Sequence, residues 1–370
     1  MKAEEEVINI LAGAGVNLVV TLPCEKIKRL LNAVPRRFKH VSLTREEEGV
    51  GICAGAYLAG KRAAMLIQSS GVGNIVNALC SLTKFYQLAL PILVSWRGVY
   101  KESIDAQVSM GQCLPGLSSA LGVPCTEIHA RKQLPLLGDA LREAFEKETP
   151  YLVLLSPRIW GSDGEENPLQ RRRLRARSYS SRALSPTLTR YQVLKVAAPY
   201  LRNKAVVCNL GYPCKELYQI MDQGSNFYML GSMGMCSPIA LGIAMNTDKE
   251  VVAIEGDGSL LMNPGVLATI ALVNPCNLTI LAIDNAAYGS TGNQPTATSS
   301  VADLEMIARG FGIETTFKAA DREEIEAALR DKKSGPRFIH VIAKPGNARV
   351  PNIPLGALEI KRRVMEFLRT

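Results

Sequence analysis

Two short segments carry residue types suited to holding a phosphorylated ligand. Gly256-Asp257-Gly258-Ser259 follows the strand-like run Glu250–Ile254 and precedes a helical stretch. The glycines permit close backbone approach, and the Asp257 carboxylate can hold a hard cation over a phosphate. A helix N-terminus also favours anions. The second segment, Asp284-Asn285-Ala286-Ala287, ends the apolar run Leu278–Ile283 and places Asn285 28 residues after Asp257. One strand–helix–strand crossover fits that interval and returns both strand ends to the same edge of a parallel sheet. An Asp, an Asn amide oxygen and a free backbone carbonyl are oxygen donors that Mg²⁺ accepts while it binds substrate phosphates. Each segment taken alone is equally a turn: Gly-Asp-Gly reverses a chain readily, and an Asx turn closes a strand ending in Asp-Asn.

Together the two segments resemble the cofactor motif of the thiamine-diphosphate-dependent enzymes, which runs from Gly-Asp-Gly to a paired Asn or Asp-Asn about this far on. The resemblance implies that Asp257, Asn285 and the Ala287 carbonyl coordinate Mg²⁺, with Gly256, Gly258 and Ser259 at the diphosphate. Gly231-Ser232-Met233-Gly234 looks like the segment that grips the aminopyrimidine. There the Gly231 carbonyl would accept from the 4′-amino group, and Met233 would wedge the cofactor into its bent form. Thr44–Leu58 resembles the helix that carries the cofactor-activating glutamate. Ten positions before the family's aromatic, here Tyr57, stands Glu47; the flanking Glu46 and Glu48 read as a solvated helix start. Gln68–Asn74 resembles the family's glycine turn. Two departures are visible: Ala286 where the motif usually has Gly, and Glu255 where Asp is common.

A pyrimidine-binding domain followed by a diphosphate-binding domain, with no central domain, is the layout of the short 2-oxo acid decarboxylases of this family. Asn209–Pro213, Tyr228–Gly234 and Tyr288–Thr296 look closest to the members acting on 3-sulfopyruvate in coenzyme M synthesis. Those acting on phosphonopyruvate are the alternative. The resemblance thus implies a carboxy-lyase whose partner is a small 2-oxo acid with a second anionic group. It also implies an oligomer of at least two copies, because both domains contribute to one cofactor. The substrate anion needs cationic or amide donors. Arg97, directly after the run Pro91–Trp96, is expected to supply them, with Gln107 and Gln294 completing the pocket. The histidines 40, 129 and 340 are scattered and receive no acid–base role.

These residues must be positioned by two α/β domains with parallel sheets. In the first half, which the apolar run Tyr151–Leu155 closes, Leu18–Leu22, Ala63–Gln68 and Pro91–Trp96 read as buried strands, with an amphipathic helix at Glu25–Val34. In the second half Ala205–Asn209, Glu250–Ile254, Leu278–Ile283 and Phe338–Ile342 do. The expected organisation is a pyrimidine-binding domain over 1–165, an Arg-rich linker over 166–188 and a diphosphate-binding domain over 189–370. In the sulfopyruvate enzymes the halves can be separate subunits, so the linker reads as a fusion joint.

The chain has 370 residues, 47% hydrophobic and 21% charged, which excludes a disordered or collagen-like protein. Its net charge of +9 is local. Seven arginines (171, 172, 173, 175, 177, 182, 190) lie between Pro168 and Arg190 with no acid, and the rest of the chain carries +2. This reads as a solvated tether rather than a nucleic-acid arm, since only Tyr179 is interleaved. Nine cysteines without a C-x-x-C pair read as reduced thiols. The acidic start Met1–Glu6 lacks an apolar leader, and the nearest membrane-like run, Val266–Ile283, is broken by Asn274, Pro275 and Asn277. A cytoplasmic protein with neither membrane nor nucleic-acid partner is expected.

Overall fold

The computed structural model describes residues 2–160 and 178–370. They divide into two compact units, one made of Met1–Tyr57 and Lys61–Ser178, the other essentially Tyr179–Thr370. The arginines at 171, 172, 173, 175 and 177 lie outside the described residues.

The first unit is a six-stranded sheet of β1 (Val16–Thr21), β2 (Lys39–Ser42), β3 (Arg62–Gln68), β4 (Leu90–Ser95), β5 (Cys125–Ile128) and β6 (Pro150–Leu155). Their spatial order is β2-β1-β3-β4-β6-β5, and every pairing is parallel. The inner strands β4 and β6 are buried at every position. A parallel sheet is covered by helices on both faces, so its central strands must be apolar throughout.

The second unit repeats this plan. Its strands are β7 (Ala205–Cys208), β8 (Asn226–Tyr228), β9 (Val251–Gly256), β10 (Leu278–Asp284), a two-residue hairpin of β11 (Ala287–Tyr288) and β12 (Gln294–Pro295), then β13 (Thr315–Ala319) and β14 (Arg337–Ile342). The sheet order is β13-β14-β10-β9-β7-β8, again all parallel. The chain leaves β7 for β8 on one side and returns to β9 on the other. A topological switch point therefore opens beyond the carboxyl ends of β7 and β9, where open α/β sheets bind ligands. Neighbouring β10 pairs with β9 in a register that sets Ile283 beside Gly256, so both motif segments emerge side by side.

Seven of the eight inner strands are those expected from sequence; the eighth, β6, falls on the apolar run Tyr151–Leu155, and the four edge strands, β2, β5, β8 and β13, were not anticipated. The part of the expected tether that is described, 178–188, has no regular structure but is fastened to the second unit. Tyr179 Oη donates to the Arg309 carbonyl at 2.9 Å, Arg182 pairs with Glu324 at 2.6 Å, and Thr187 Oγ1 donates to the Ala320 carbonyl. Arg190 is no tether residue either. It begins the helix Arg190–Leu201, which Thr189 and Gln192 cap reciprocally, and it is buried.

In the first unit the helix Val108–Leu121 packs its Gly111 against the backbone after β4. A Cβ at Gly111 would lie 1.8 Å from the Arg97 carbonyl oxygen, and Trp96 Nε1 donates to the Gly111 carbonyl at 2.8 Å. A backbone atom cannot swing aside as a side chain can. Gly111→Ala should therefore destabilise the protein by at least about 1–3 kcal/mol, read as a lower urea midpoint; an unchanged midpoint would show that this contact relaxes freely.

Candidate active site

In the second unit, Asp257, Asn285 and Ala287 converge beyond the ends of β9 and β10. The Asn285 side-chain amide lies between the Ala287 carbonyl oxygen and Asp257 Oδ1, and its Nδ2 donates to them at 3.0 and 3.3 Å. With a cation among these groups the amide would turn its oxygen inward instead. Burial pushes the Asp257 carboxyl above its ordinary value; Thr296 opposes this and the charge of Asp284 reinforces it. A divalent cation would offset the burial of that carboxylate, and a carboxylate, an amide oxygen and a backbone carbonyl are oxygen donors that fit Mg²⁺.

The other oxygen of Asp257 is already occupied. Thr296 Oγ1 donates to Asp257 Oδ2, and Thr298 Oγ1 lies 3.3 Å from it. Between the two ligand positions Ala286 adopts φ +56°, a left-handed conformation that costs an L-residue about 1–2 kcal/mol. Its N–H donates to Asp284 Oδ1 at 3.0 Å, and Thr298 Oγ1 donates to the same oxygen at 2.7 Å.

A cavity of about 160 Å³ adjoins these residues. Asn209, Met233, Gly256, Gly258, Ser259 and Arg190 are among those lining it. Met233 is half-buried on its wall, between Ser232 at φ +58° and Gly234 at φ +88°. Three bonds tie this segment and the helix after it to the residues around the Gly-Asp-Gly turn. Gly234 N donates to Ser259 Oγ at 3.1 Å, and the buried Glu255 accepts from Ser237 N and Oγ at 2.9 and 2.8 Å. Burial raises the Glu255 carboxyl, and the Ser237 bonds oppose that rise. Gly258 lets the Tyr288 ring lie close over the turn, since a Cβ there would be 2.2 Å from Tyr288 Cε1 and the ring would have to move. Arg190 pairs with Glu216 through Nε and Nη2 at 2.8 and 3.0 Å, and Nη2 also reaches Asn347 Oδ1 at 2.8 Å.

In the first unit the three consecutive glutamates of the helix Glu46–Leu58 have separate surroundings. Glu46 is buried and accepts from Asn74 Nδ2 at 2.9 Å; Glu48 is buried and accepts from Thr44 N and Oγ1 at 2.6 and 3.1 Å. Neither is the solvated residue expected. Glu47 is half-buried, and its nearest cation among the described residues is Arg45, at 3.6 Å. Burial raises its carboxyl and Arg45 partly offsets this.

Residues 1–115 match the N-terminal TPP binding domain of thiamine pyrophosphate enzymes, and residues 204–341 match the C-terminal TPP binding domain. The chain is 46% identical to a sulfopyruvate decarboxylase of Methanosarcina acetivorans, covering 99% of this chain and 97% of that one. The chain belongs to the thiamine pyrophosphate enzymes. The beta and alpha subunits of sulfopyruvate decarboxylase from Methanococcus maripaludis, 45% and 38% identical, match 49% and 44% of this chain, so both are fused here. A phosphonopyruvate decarboxylase of Streptomyces hygroscopicus is 32% identical over 96% of this chain and 92% of its own. The fold is shared with a thiamine diphosphate-dependent 4-hydroxybenzoylformate decarboxylase of Rhodococcus jostii, with TM-score 0.74 and 14% identity over 94% of this chain and 100% of that one.

For a thiamine pyrophosphate enzyme, Asp257, Asn285, Ala287, Gly256, Gly258, Ser259 and Met233 are brought to one place in the second unit. Sequence reasoning passed over Arg190, Asp284, Thr296, Thr298 and His340. The Thr189-x-x-Gln192 capping signature was the signal that Arg190 opens a helix. His340 was set aside as scattered, yet its Nε2 lies 2.9 Å from Asp284 Oδ2.

The expected anion pocket fares differently. Arg97 is buried, and its Nε and Nη2 donate to Glu102 at 2.6 and 2.5 Å. The Arg97 bond holds the Glu102 carboxyl down at about 2. That pair spends the bidentate edge of the guanidinium on the protein itself. Gln107 is beside it, its carbonyl oxygen 2.2 Å from where a Gly98 Cβ would be. Gln294, in the second unit, is exposed, and its amide is satisfied by Thr291. Removing one member of a buried ion pair typically costs about 3–5 kcal/mol. Arg97→Ala should therefore lower stability by an amount of that order, and Arg97→Ala with Glu102→Gln should recover part of it. A double-mutant cycle in urea measures this; a purely kinetic effect with unchanged stability would return Arg97 to the substrate pocket.

Proposed function

We propose that the chain decarboxylates 3-sulfopyruvate to sulfoacetaldehyde and CO₂, a reaction of coenzyme M synthesis, using thiamine diphosphate and Mg²⁺. The observation that carries the sulfonate over the phosphonate is the 46% identity, over nearly the whole chain, to a sulfopyruvate decarboxylase, against 32% to a phosphonopyruvate decarboxylase.

When bound, the cofactor supplies the electron sink for the pair released as CO₂ leaves. In this reading Asp257, Asn285 and the Ala287 carbonyl hold Mg²⁺ against the diphosphate, with Gly256, Gly258 and Ser259 close to it. The Gly231 carbonyl accepts from the 4′-amino group, Ser232 holds the turn beside it, and Met233 supports the ring from the cavity wall. Glu47 holds or gives a proton at the pyrimidine N1′, which suits a carboxyl raised by burial. Gln107 and Gln294 remain the amide donors proposed for the substrate anion. The proposal includes a homo-oligomer of at least two copies and a cytoplasmic location. Among the described residues no helix is long and apolar enough to cross a membrane.

With thiamine diphosphate and Mg²⁺ supplied, CO₂ release measured on sulfopyruvate, phosphonopyruvate and pyruvate should favour sulfopyruvate in kcat/KM by at least about tenfold, or 1.4 kcal/mol. Phosphonopyruvate turning over faster would reassign the substrate. Glu47→Gln should keep cofactor affinity within about twofold and lower kcat by about 10²–10⁴, the range of a lost proton-transfer group. Full activity in that variant would remove Glu47 from the reaction.

A further inference from the structure

His340 lies on β14, beside β10, in a register that sets it opposite Ala282. It is 1% exposed, and its Nε2 is 2.9 Å from Asp284 Oδ2. A carboxylate can only accept, so Nε2 carries the proton of this bond. The Nδ1 edge faces the start of the helix Leu304–Phe311, 3.3 Å from Glu305 N and 3.5 Å from Asp303 Oδ1. Asp303 is in turn held by Lys318 at 2.6 Å. The imidazole is thus fixed on both edges.

What it fixes is Asp284, a buried carboxylate with three donors: His340 on one oxygen, Ala286 N and Thr298 Oγ1 on the other. Ala286 N belongs to the left-handed turn whose two neighbours present the Asn285 amide and the Ala287 carbonyl. The turn is closed from its other end by Thr296 N, which donates to the Ala286 carbonyl at 3.1 Å. Thr296 Oγ1 also donates to Asp257 Oδ2, with Thr298 Oγ1 3.3 Å from that oxygen, which leaves Oδ1 to the Asn285 amide.

We infer that His340 is a positioning residue for the divalent-cation site: its Nε2–H holds the Asp284 carboxylate in the one orientation that fastens the Asn285–Ala287 turn and Thr298 together. The inference rests on the reading of Asp257, Asn285 and Ala287 as the Mg²⁺ ligands. A glycine at position 286 would adopt the left-handed turn without strain. With alanine there, the turn depends on its hydrogen bonds, and His340 is their anchor. Partners outside a metal's immediate ligands commonly change affinity by 10–100-fold when removed.

The test is a calorimetric titration of Mg²⁺ into the full-length protein with thiamine diphosphate present. His340→Leu should raise the apparent Mg²⁺ dissociation constant at least tenfold, while kcat at saturating Mg²⁺ and cofactor stays within about twofold. His340→Gln, whose amide can place an N–H near the same point, should stay within about threefold of the wild type. Thr298→Val, which removes the hydroxyl between the two carboxylates, should weaken Mg²⁺ several-fold; it carries the test if His340→Leu does not fold. Wild-type-like titrations of His340→Leu or Thr298→Val, or a loss in His340→Gln as large as in His340→Leu, would overturn the inference. A wild type that fails to retain thiamine diphosphate with Mg²⁺ would instead overturn the reading beneath it.

Discussion

A carboxylate is costly to hold away from water unless its oxygens find donors, and the second unit buries two of them, Asp257 and Asp284, beside one turn. Much of the surrounding polar structure answers that constraint. The Thr296 hydroxyl takes up one oxygen of Asp257, and the Asn285 amide donates to the other. Asp284 spends its oxygens on Ala286 N, Thr298 and His340, so the second carboxylate is satisfied by the protein itself. The sheet supplies the proximity: β9 and β10 are parallel neighbours, and residues following both emerge at one edge. A parallel sheet with a switch point makes this edge the place where a charged ligand can be met by several loops at once.

The first unit gives three adjacent carboxyls three different surroundings. Consecutive residues on a helix point about 100° apart. Glu46, Glu47 and Glu48 therefore meet different neighbours although their local sequence is uniform. Glu46 is taken by Asn74, 28 residues on, and Glu48 by Thr44, four residues back. Glu47 keeps a half-buried position that raises its carboxyl, with only Arg45 to oppose this. The same sorting gives Arg97, expected at the substrate anion, a carboxylate partner within the protein. Its guanidinium sits at the ligand-facing end of β4, but Glu102, five residues later, folds back onto it.

The inner strands and the cofactor segments were legible because their signals are local. A central parallel strand is buried on both faces and reads as an unbroken apolar run, and Gly-Asp-Gly and Asp-Asn are turn chemistries readable without knowing their partners. The edge strands were not legible for the converse reason. β2 is Lys-His-Val-Ser with one buried residue in four, β5 has likewise one, and β13 is mostly half-buried, so their sequences are set by partial solvent contact rather than by a pattern. β8 is fully buried but only three residues long, too short to announce itself. By itself, then, the sequence determined the family, the two parallel α/β domains and the residues suited to a diphosphate, a cation and a proton at N1′. Only the tertiary structure decided which charged side chains were already spent. It set Arg190 against Glu216, Arg97 against Glu102 and His340 against Asp284. Ion pairs and hydrogen bonds act over a few ångströms in space, and two of these pairs join residues 26 and 56 positions apart, a distance across which composition and local spacing carry no information.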